Sequence, residues 1–458
     1  MPEKRFPRLL IGAASSGSGK TTVACGLLRL LKRRGVRVRA FKCGPDYIDP
    51  MFHRSVIGIA SRNLDLFFTS PERTRALFAR NAADAELSVI EGVMGYYDGL
   101  GGTTDEAGSA HLARETETPA VLVVNAKGMS LSLAALLGGF CRFRADSMVR
   151  GVILNRISAG SYPMLKAMIE RELPELRVLG FLPELPQASL ESRHLGLVTA
   201  DEIGNLSEKL DRVADQMEQT LDLEGLLALA GAAAPLSFEP IEVEPVRAKS
   251  APRIAVARDR AFCFYYEDTF DLLRALGAEL IPFSPLSDAA LPEGTDGIYL
   301  GGGYPELYAK ELSENEAMLE SLRAKVRSGT PCVAECGGFL YLHRTLEGAD
   351  GREYPMAGLV DARAFRTGKL GRFGYVTLTA KRDTLLCGAG ACIRAHEFHY
   401  WESEAPGEAF EAKKPAGSRR WDCIHAAGSL FAGFPHLALE SNESFARAFV
   451  ERCAAERR

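Results

Sequence analysis

"ASSGSGKTT", residues 14–22, decides the fold of the first half of the chain. An apolar run precedes it, and a helical segment with leucines on one face follows it. This is the setting of a phosphate-binding loop, in which backbone N–H groups and a helix N-terminus surround the phosphates of a nucleotide. The strict pattern G-x-x-x-x-G-K-S/T requires glycine where this chain has Ala14. The alternative, a Gly-rich turn that only joins a strand to a helix, does not account for the Lys-Thr pair.

The loop defines the first set of candidate site residues. Lys20 is expected near the terminal phosphates and Thr21 on a magnesium ion. We predict that ATP is bound by Ser16, Gly17, Ser18, Gly19, Lys20, Thr21 and Thr22.

Acidic residues follow two further apolar runs and are candidates for holding Mg²⁺. Glu91 stands directly after "SVI", with Asp98 seven residues later, and "FKCGPDYIDPMFH" (41–53) contains Asp46 and Asp49. The carboxyl ends of parallel strands are where open α/β sheets bind ligands. We predict Thr21 and Glu91 as metal ligands, with Asp49 as a further candidate. Each acid taken alone could also be a solvated loop carboxylate.

Short apolar runs alternate with helical stretches through the first half of the chain, which is typical of a parallel sheet covered by helices on both faces. The predicted strands are 8–13, 36–41, 87–92, 120–125, 151–156 and 177–183. We therefore predict an α/β fold with a doubly wound, mainly parallel sheet.

A stretch rich in Ala and Pro interrupts the alternation, which restarts at "RIAVAR" (253–258). We predict a nucleotide-binding domain at 1–235, a linker at 236–252 and a second doubly wound domain at 253–458.

"TPCVAECGGFLYL" (330–342) places Cys336 between an apolar strand and a helix-like run. A cysteine at such a turn is exposed at the sheet edge, and the helix N-terminus favours its thiolate. Gly337, and Gly302 and Gly303 of "DGIYLGGGYPE" (296–306), could present oxyanion-binding N–H groups. An ordinary buried cysteine and a strand-ending turn are the alternatives. Spacing does not choose the base that Cys336 needs among His343, His396, His399, His425 and His436.

Composition excludes several classes of partner. With 47% hydrophobic and 25% charged residues and a net charge of −4, the chain reads as globular, without the basic surplus that nucleic acid or an anionic membrane attracts. Ten cysteines without a CxxC pair suggest neither a disulfide framework nor a zinc site. No signal peptide precedes the first predicted strand, so we expect a cytoplasmic protein. The oligomeric state is not readable from the sequence, and a homodimer is a possible assembly because symmetric dimers are the commonest.

The order of the motifs resembles that of the cobyrinic acid a,c-diamide synthases. The resemblance covers nearly the whole chain and rests on "SSGSGKTT", "FKCGPDYIDPMFH", "SRNLDLF", "EGVMGYYDG", "GVILNR", "SRHLGLV", "LGGGYPE", "AECGGFLYL" and "HEFHY". The family is similar to dethiobiotin synthetase in its N-terminal half and carries a class I glutamine amidotransferase domain in its C-terminal half. The resemblance therefore implies a P-loop domain followed by a glutaminase-type α/β domain.

The resemblance also assigns roles to particular residues. It implies Cys336 as the glutaminase nucleophile and His436, in "FPH", as its base. It implies that Asn155 of "GVILNR" binds ATP, and that Asp46, Tyr47 and Asp98 orient the substrate. Two positions depart from the pattern: Ala438 stands where many relatives have a second histidine, and Asn125 replaces an aspartate. The third member of the glutaminase site stays open: Glu440 is one candidate, and the resemblance also allows a Cys–His dyad without a third member.

The activity implied is ATP- and Mg²⁺-dependent amidation of two acetate carboxylates of cobyrinate or hydrogenobyrinate, with L-glutamine as nitrogen donor. An enzyme of the same construction acting on Ni-sirohydrochlorin is the nearest alternative. Two others are a partner-stimulated P-loop switch ATPase and a glutaminase that supplies another enzyme.

Overall fold

The computed structural model describes residues 2–186 and 200–455, and at 200–204 it describes the backbone alone. The chain divides into two compact units, Met1–Ile241 and Glu242–Arg458. The predicted linker is shared between them: Leu236 is buried in the core of the first unit, whereas Val246 N donates a hydrogen bond to Leu276 O in the second. The division falls inside the predicted linker, after a short strand at Leu236–Ser237, and the predicted domain bounds stay a prediction.

The first unit is built on a seven-stranded parallel sheet. Its strands run in the order β4-β3-β5-β2-β6-β7-β8, and every neighbouring pair is parallel. A separate antiparallel pair joins β1 to β9. The strands are β1 (Glu3–Lys4), β2 (Arg8–Ala13), β3 (Val38–Cys43), β4 (Ser61–Leu64), β5 (Leu87–Glu91), β6 (Ala120–Asn125), β7 (Val149–Asn155), β8 (Arg177–Leu182) and β9 (Leu236–Ser237).

Helices pack apolar side chains on the sheet in two separate cores, one containing Phe41 and Phe78, the other Val23 and Leu27. Both faces of the sheet are thus covered, as near-continuous apolar strands require. The helices are α1 (Lys20–Arg33), α2 (Ile48–Phe52), α3 (Pro71–Ala82), α4 (Ser109–Glu115), α5 (Leu131–Arg142), α6 (Tyr162–Glu172), α7 (Ala200–Thr220) and α8 (Leu223–Gly231). A π-helical turn follows α2 at His53–Ile57, and a 3-10 turn lies at Leu100–Gly102.

The second unit combines a six-stranded sheet, in the order β12-β10-β13-β15-β25-β24 and parallel except for β24, with smaller sheets. An antiparallel sheet has the order β23-β22-β19-β20-β26, another sheet the order β17-β16-β18-β21, and β11 pairs with β14. The strands are β10 (Arg253–Ala257), β11 (Phe262–Phe264), β12 (Glu279–Phe283), β13 (Gly297–Leu300), β14 (Gly302–Gly303), β15 (Cys332–Glu335), β16 (His343–Glu347), β17 (Glu353–Pro355), β18 (Val360–Arg366), β19 (Arg372–Ala380), β20 (Cys392–His399), β21 (Trp401–Ser403), β22 (Phe410–Lys413), β23 (Arg420–Cys423), β24 (His425–Ala427), β25 (Leu430–Gly433) and β26 (His436–Leu437).

The helices of this unit are α9 (Glu267–Ala275), α10 (Ala309–Glu314), α11 (Glu316–Arg327), α12 (Gly337–Tyr341) and α13 (Glu443–Ala455). Two 3-10 turns lie at Pro305–Leu307 and Leu439–Ser441.

The predicted α/β class with a mainly parallel first sheet is confirmed, and all six apolar runs of the first half form strands. The seventh strand, β4, escapes prediction because it is an edge strand whose middle residues, Arg62 and Asn63, are polar. Within the described residues, none of the helices has both the length and the apolar character that crossing a membrane requires.

Candidate active sites

The phosphate-binding loop lies between β2 and α1, as the sequence predicts. Gly17 and Gly19 have φ values of +79° and +91°, a left-handed conformation that glycine adopts without steric cost. Helix α1 begins at Lys20, directly after Gly19, and its first turn contains no acidic residue. The positive end of the helix dipole therefore faces the loop without a neutralising side chain of its own.

Asn155, at the end of β7, holds the loop from the neighbouring strand. Its Nδ2 donates a hydrogen bond to Ser18 O at 2.8 Å, and a Cβ atom on Gly19 would overlap that same Nδ2. The structure thus places Asn155 against the loop backbone. Its predicted contact with ATP stays a prediction.

Lys20 and Thr21 both contact the end of β5. Lys20 Nζ donates to Gly92 O at 2.7 Å and lies 3.5 Å from Glu91 Oε1, while Thr21 Oγ1 donates to the same carboxylate oxygen at 2.7 Å. Burial, together with the nearby charge of Lys42, lowers the pKa of Lys20. The predicted Thr21–Glu91 pair is therefore in direct contact.

A second lysine in this cluster was missed by sequence reasoning. Lys42, on β3, is 3% exposed, and its Nζ lies 2.5 Å from Asp49 Oδ2 and 3.2 Å from Glu91 Oε1. Burial lowers the pKa of Lys42, but the charges of Glu91 and Asp49 outweigh this and raise it above its usual value. The sequence did contain a signal for this residue: a lysine within the apolar run "AFKC" at the end of a core strand.

His53 completes the shell around Glu91 and was also missed. It is fully buried at the start of the π-helical turn, with Nε2 3.3 Å from Glu91 Oε2 and Nδ1 3.0 Å from Ser61 Oγ. Burial raises the pKa of Glu91, but Lys42 and Lys20 outweigh this and hold it well below its usual value. Glu91 is consequently a carboxylate surrounded by cations and polar hydrogens.

The predicted metal ligands present oxygen atoms only, from the Thr21 hydroxyl and the carboxylates of Glu91 and Asp49. Hard oxygen donors of this type suit Mg²⁺. Thr21 and Glu91 fit such an ion together, since their oxygens are already in contact. Asp49 points its Oδ2 at Lys42, so it serves the lysine in this arrangement and its role as a metal ligand stays a prediction.

The predicted substrate residues lie on two loops that follow β3 and β5. Asp46 Oδ1 accepts a hydrogen bond from Ile48 N at 2.7 Å, and burial with the charge of Asp49 raises the pKa of Asp46. Tyr47 is the next residue and is buried. Asp98 is exposed, and its Oδ2 accepts from Gly95 N at 3.1 Å. The motif "SRHLGLV", residues 192–198, lies outside the described residues.

Cys336 occupies the sharp turn between β15 and α12 that the sequence predicts. The expectation that the side chain is exposed there is wrong, because Cys336 is buried, with 6% of its surface exposed. Its φ of +48° and ψ of −101° are strained for a residue with a Cβ atom. Its N–H donates to Gly433 O at 2.8 Å, and its carbonyl accepts from Leu340 N at 3.0 Å, so the turn is held at both ends.

His436 is the histidine that the structure brings to Cys336. The two side chains are hydrogen-bonded, and His436 pairs across strands with His396. Burial lowers the pKa of His436, but the negative charges of Cys336 and Glu335 outweigh it and raise the pKa to about 10. The pair therefore has the arrangement in which a basic side chain hydrogen-bonds a candidate cysteine nucleophile.

Two of the other candidate histidines are hydrogen-bonded to other groups, and a third lies beside His436. His343 bonds Phe339 O at 2.8 Å and Ser403 Oγ at 2.6 Å, and His399 bonds Trp401 O at 2.7 Å. Burial, with the charge of His436, lowers the pKa of His396 to about 3. His396 is therefore a neutral neighbour of the Cys336–His436 pair.

The predicted oxyanion glycines converge on the same pair. A Cβ atom on Gly302 would overlap the His436 ring, and one on Gly337 would lie 3.0 Å from Gly303 N. The two glycine segments thus approach as closely as backbones without side chains allow. Which N–H groups receive an oxyanion stays a prediction.

Glu335 is the functional candidate of this unit that sequence reasoning missed. It is 3% exposed, directly precedes Cys336, and has its Oε2 3.8 Å from His436 Nδ1. An acid at the buried end of a core strand was again the available signal.

Two known domain families match this chain. Residues 9–198 match the CobQ/CobB/MinD/ParA nucleotide binding domain, and residues 253–444 match the CobB/CobQ-like glutamine amidotransferase domain. The predicted two-domain architecture is thereby confirmed.

Similar curated proteins match nearly the full length of the chain. Cobyrinate a,c-diamide synthase from Caldanaerobacter subterraneus subsp. tengcongensis is 41% identical and covers 97% of this chain and 98% of its own. That from Listeria monocytogenes is 42% identical and covers 95% and 97%, and that from Salmonella typhimurium is 40% identical and covers 94% and 95%. On this identity and coverage, the chain belongs to the cobyrinate a,c-diamide synthase family.

Proposed function

We propose that this chain converts the a and c acetate carboxylates of cobyrinate or hydrogenobyrinate into amides, using ATP and the side-chain nitrogen of L-glutamine. The observation that carries the proposal is the presence in one chain of two organised sites, the Lys20–Thr21–Glu91 cluster and the Cys336–His436 pair. The full-length similarity to cobyrinate a,c-diamide synthases supplies the substrate class.

The first site activates the carboxylate. An acetate oxygen attacks the γ-phosphorus of ATP, the bond from that phosphorus to ADP breaks, and an acyl phosphate forms. Such a transfer depends on positioning and on charge neutralisation, which Lys20, Lys42 and the loop N–H groups provide. Thr21 and Glu91, with Asp49 nearby, would hold Mg²⁺, which neutralises phosphate charge when bound. Asp46, Tyr47 and Asp98 orient the macrocycle above this edge of the sheet.

The second site releases ammonia. The Cys336 thiolate attacks the glutamine side-chain carbonyl, and N–H groups of Gly302, Gly303 or Gly337 receive the oxyanion. His436 gives its proton to the departing ammonia, leaving a thioester, and then takes a proton from the water that hydrolyses the thioester to glutamate. Ammonia attacks the acyl phosphate, the C–N bond forms, and phosphate leaves.

Mass spectrometry tests the proposal directly. Incubation with ATP, Mg²⁺, glutamine and cobyrinate, hydrogenobyrinate or Ni-sirohydrochlorin should give the mass change of two carboxyl-to-amide conversions with one of the first two rings. Conversion of Ni-sirohydrochlorin alone would mean that this ring, and not cobyrinate or hydrogenobyrinate, is the substrate. If no ring changes mass while ATP is hydrolysed, the ligase function is wrong.

A variant separates the two sites. Cys336→Ala should lose glutamine-dependent amidation and keep amidation with ammonium salts at raised pH, because only the thiolate chemistry is removed. Loss of both activities in a folded Cys336→Ala protein would contradict the division of labour.

A further inference from the structure

The side chain of Glu335 is a buried carboxylate next to the nucleophile. Glu335 ends β15, the strand between β13 and β25 in the parallel sheet of the second unit, and is 3% exposed. A carboxylate removed from water at this depth is costly unless donors or a positive charge face it. The groups around the Glu335 carboxylate therefore indicate what stabilises it in its buried position.

Three groups face the Glu335 carboxylate, and they come from two strands. Leu437 N donates to Oε1 at 3.2 Å, and the Tyr299 hydroxyl donates to Oε2 at 3.3 Å. His436 Nδ1 lies 3.8 Å from Oε2, at ion-pair distance. Donors from β13 and β26 thus fix the carboxylate so that one oxygen is directed at the imidazole.

The geometry divides the two nitrogens of His436 between two partners. Nδ1 faces Glu335, so Nε2 is the nitrogen left for the hydrogen bond with Cys336. An acid that holds one ring nitrogen fixes the orientation of the ring, and with it the direction in which the other nitrogen points. Two residues after His436 stands Ala438, whose methyl group cannot accept a hydrogen bond.

We propose that Glu335 is the positioning residue of the glutaminase site, holding the Nδ1–H side of His436 so that Nε2 addresses the Cys336 thiol. This inference rests on the proposed glutaminase function. The acid then directly precedes the nucleophile in the sequence, whereas the base follows the nucleophile much later in the chain.

The central test is Glu335→Gln, with L-glutamine as the probe and glutamate release as the readout. The amide keeps the size of the side chain but presents N–H₂ or a neutral oxygen to His436, so kcat should fall on the order of 10²- to 10⁴-fold, with KM for glutamine changing little. Ammonia-dependent amidation should remain, since it does not use His436.

The pH profile separates positioning from a structural role. Within the part of the chain that the structure describes, the titratable groups that interact electrostatically with His436 include Cys336, Glu335, His396 and His399. Burial lowers the pKa of His396 to about 3 and that of His399 to about 4, so both stay neutral over the working range. Without the Glu335 charge, the pKa of His436 falls, and the alkaline limb of kcat/KM should move to lower pH.

Two further variants keep the test decisive. Glu440 is the other acidic residue near His436 in the sequence. Glu440→Gln should reduce kcat far less than Glu335→Gln. Tyr299→Phe removes one hydrogen bond to the Glu335 carboxylate but leaves the carboxylate itself, so kcat should fall about tenfold. This variant keeps the test available if Glu335→Gln does not fold.

The outcomes are distinguishable. A wild-type chain that releases no glutamate from glutamine overturns the glutaminase function and this inference together. A wild type that does so, with a folded Glu335→Gln variant of unchanged kcat and pH profile, overturns the role of Glu335 alone. A larger loss in Glu440→Gln than in Glu335→Gln would also overturn it.

Discussion

Lys20 and Lys42 donate hydrogen bonds to the same backbone carbonyl, that of Gly92, at 2.7 and 3.1 Å. The two ammonium groups come from different elements, the start of α1 and the end of β3. Glu91 and Asp49 balance their charge from within 3.5 Å. Two cations that meet beside a phosphate-binding loop can stabilise more negative charge than one lysine could.

Replacing Lys42 by Gln tests whether the second cation serves the ligase reaction. We expect kcat for ammonia-dependent amidation to fall by about 10²-fold or more, because a preorganised charge beside the transferred phosphoryl group is lost. Since a buried partner of Asp49 and Glu91 also disappears, the melting temperature should decrease. Steady-state kinetics with ammonium chloride and a thermal unfolding scan measure the two effects.

Lys166→Gln is the matched control for that change. Lys166 is 40% exposed on α6 and pairs only with Glu170 among the ion pairs within the described residues. Its replacement should leave both kcat and melting temperature near wild type. A Lys42→Gln variant indistinguishable from this control would remove Lys42 from the reaction.

Glutamine hydrolysis should have an unusually alkaline upper limb. Burial lowers the pKa of His436, but Cys336 and Glu335 raise it to about 10. The imidazolium is therefore kept up to that pH and lost above it, whereas an ordinary histidine is neutral above about 6.5. Glutamate release measured as kcat/KM against pH should stay high to about pH 10; a decline beginning near pH 6.5 would show that the pair is not formed.

The backbone at Cys336 predicts a difference between two inactive variants. Its φ of +48° and ψ of −101° are open to glycine but strained for any residue with a Cβ atom. Cys336→Gly should therefore be more stable than Cys336→Ala by about 1–3 kcal/mol, the usual range for releasing such strain. Denaturant unfolding of both variants under identical conditions measures the difference, and equal midpoints would mean that the turn relaxes without the side chain.

Sequence patterns predicted those parts of the chain that depend on local order. The glycines of 14–22 and the turn at Cys336 are local signals, and α1 and α12 begin where those signals place them. Parallel strands were readable because burial on both faces gives continuous apolar runs. The resemblance added the choice of His436, which spacing could not make.

What escaped prediction depends on contacts between distant parts of the chain. Lys42, His53 and Glu335 are polar residues in apolar surroundings, and their partners become known only when β3, β5 and β26 are placed in space. The antiparallel sheets of the second unit escaped for a related reason, since pairing such as that of β19 with β20 is not written in either strand alone.

Gly19 and Asn155 offer a test of how the loop is held. Gly19 has a φ of +91°, and a Cβ atom there would overlap Asn155 Nδ2, which donates to Ser18 O. Gly19→Ala should therefore weaken ATP binding about tenfold or more, through backbone strain and displacement of Asn155. Asn155→Ala should weaken it less, because only one hydrogen bond to the loop is lost.

The double variant shows whether the two residues act together. With Asn155 already truncated, the alanine at position 19 meets no side chain, so Gly19→Ala should cost less than it does in the wild type. Calorimetric titration of ATP with Mg²⁺ into the four proteins gives the coupling free energy, which should be at least about 0.5 kcal/mol. Strictly additive effects would mean that strain at Gly19, rather than the contact with Asn155, limits the loop.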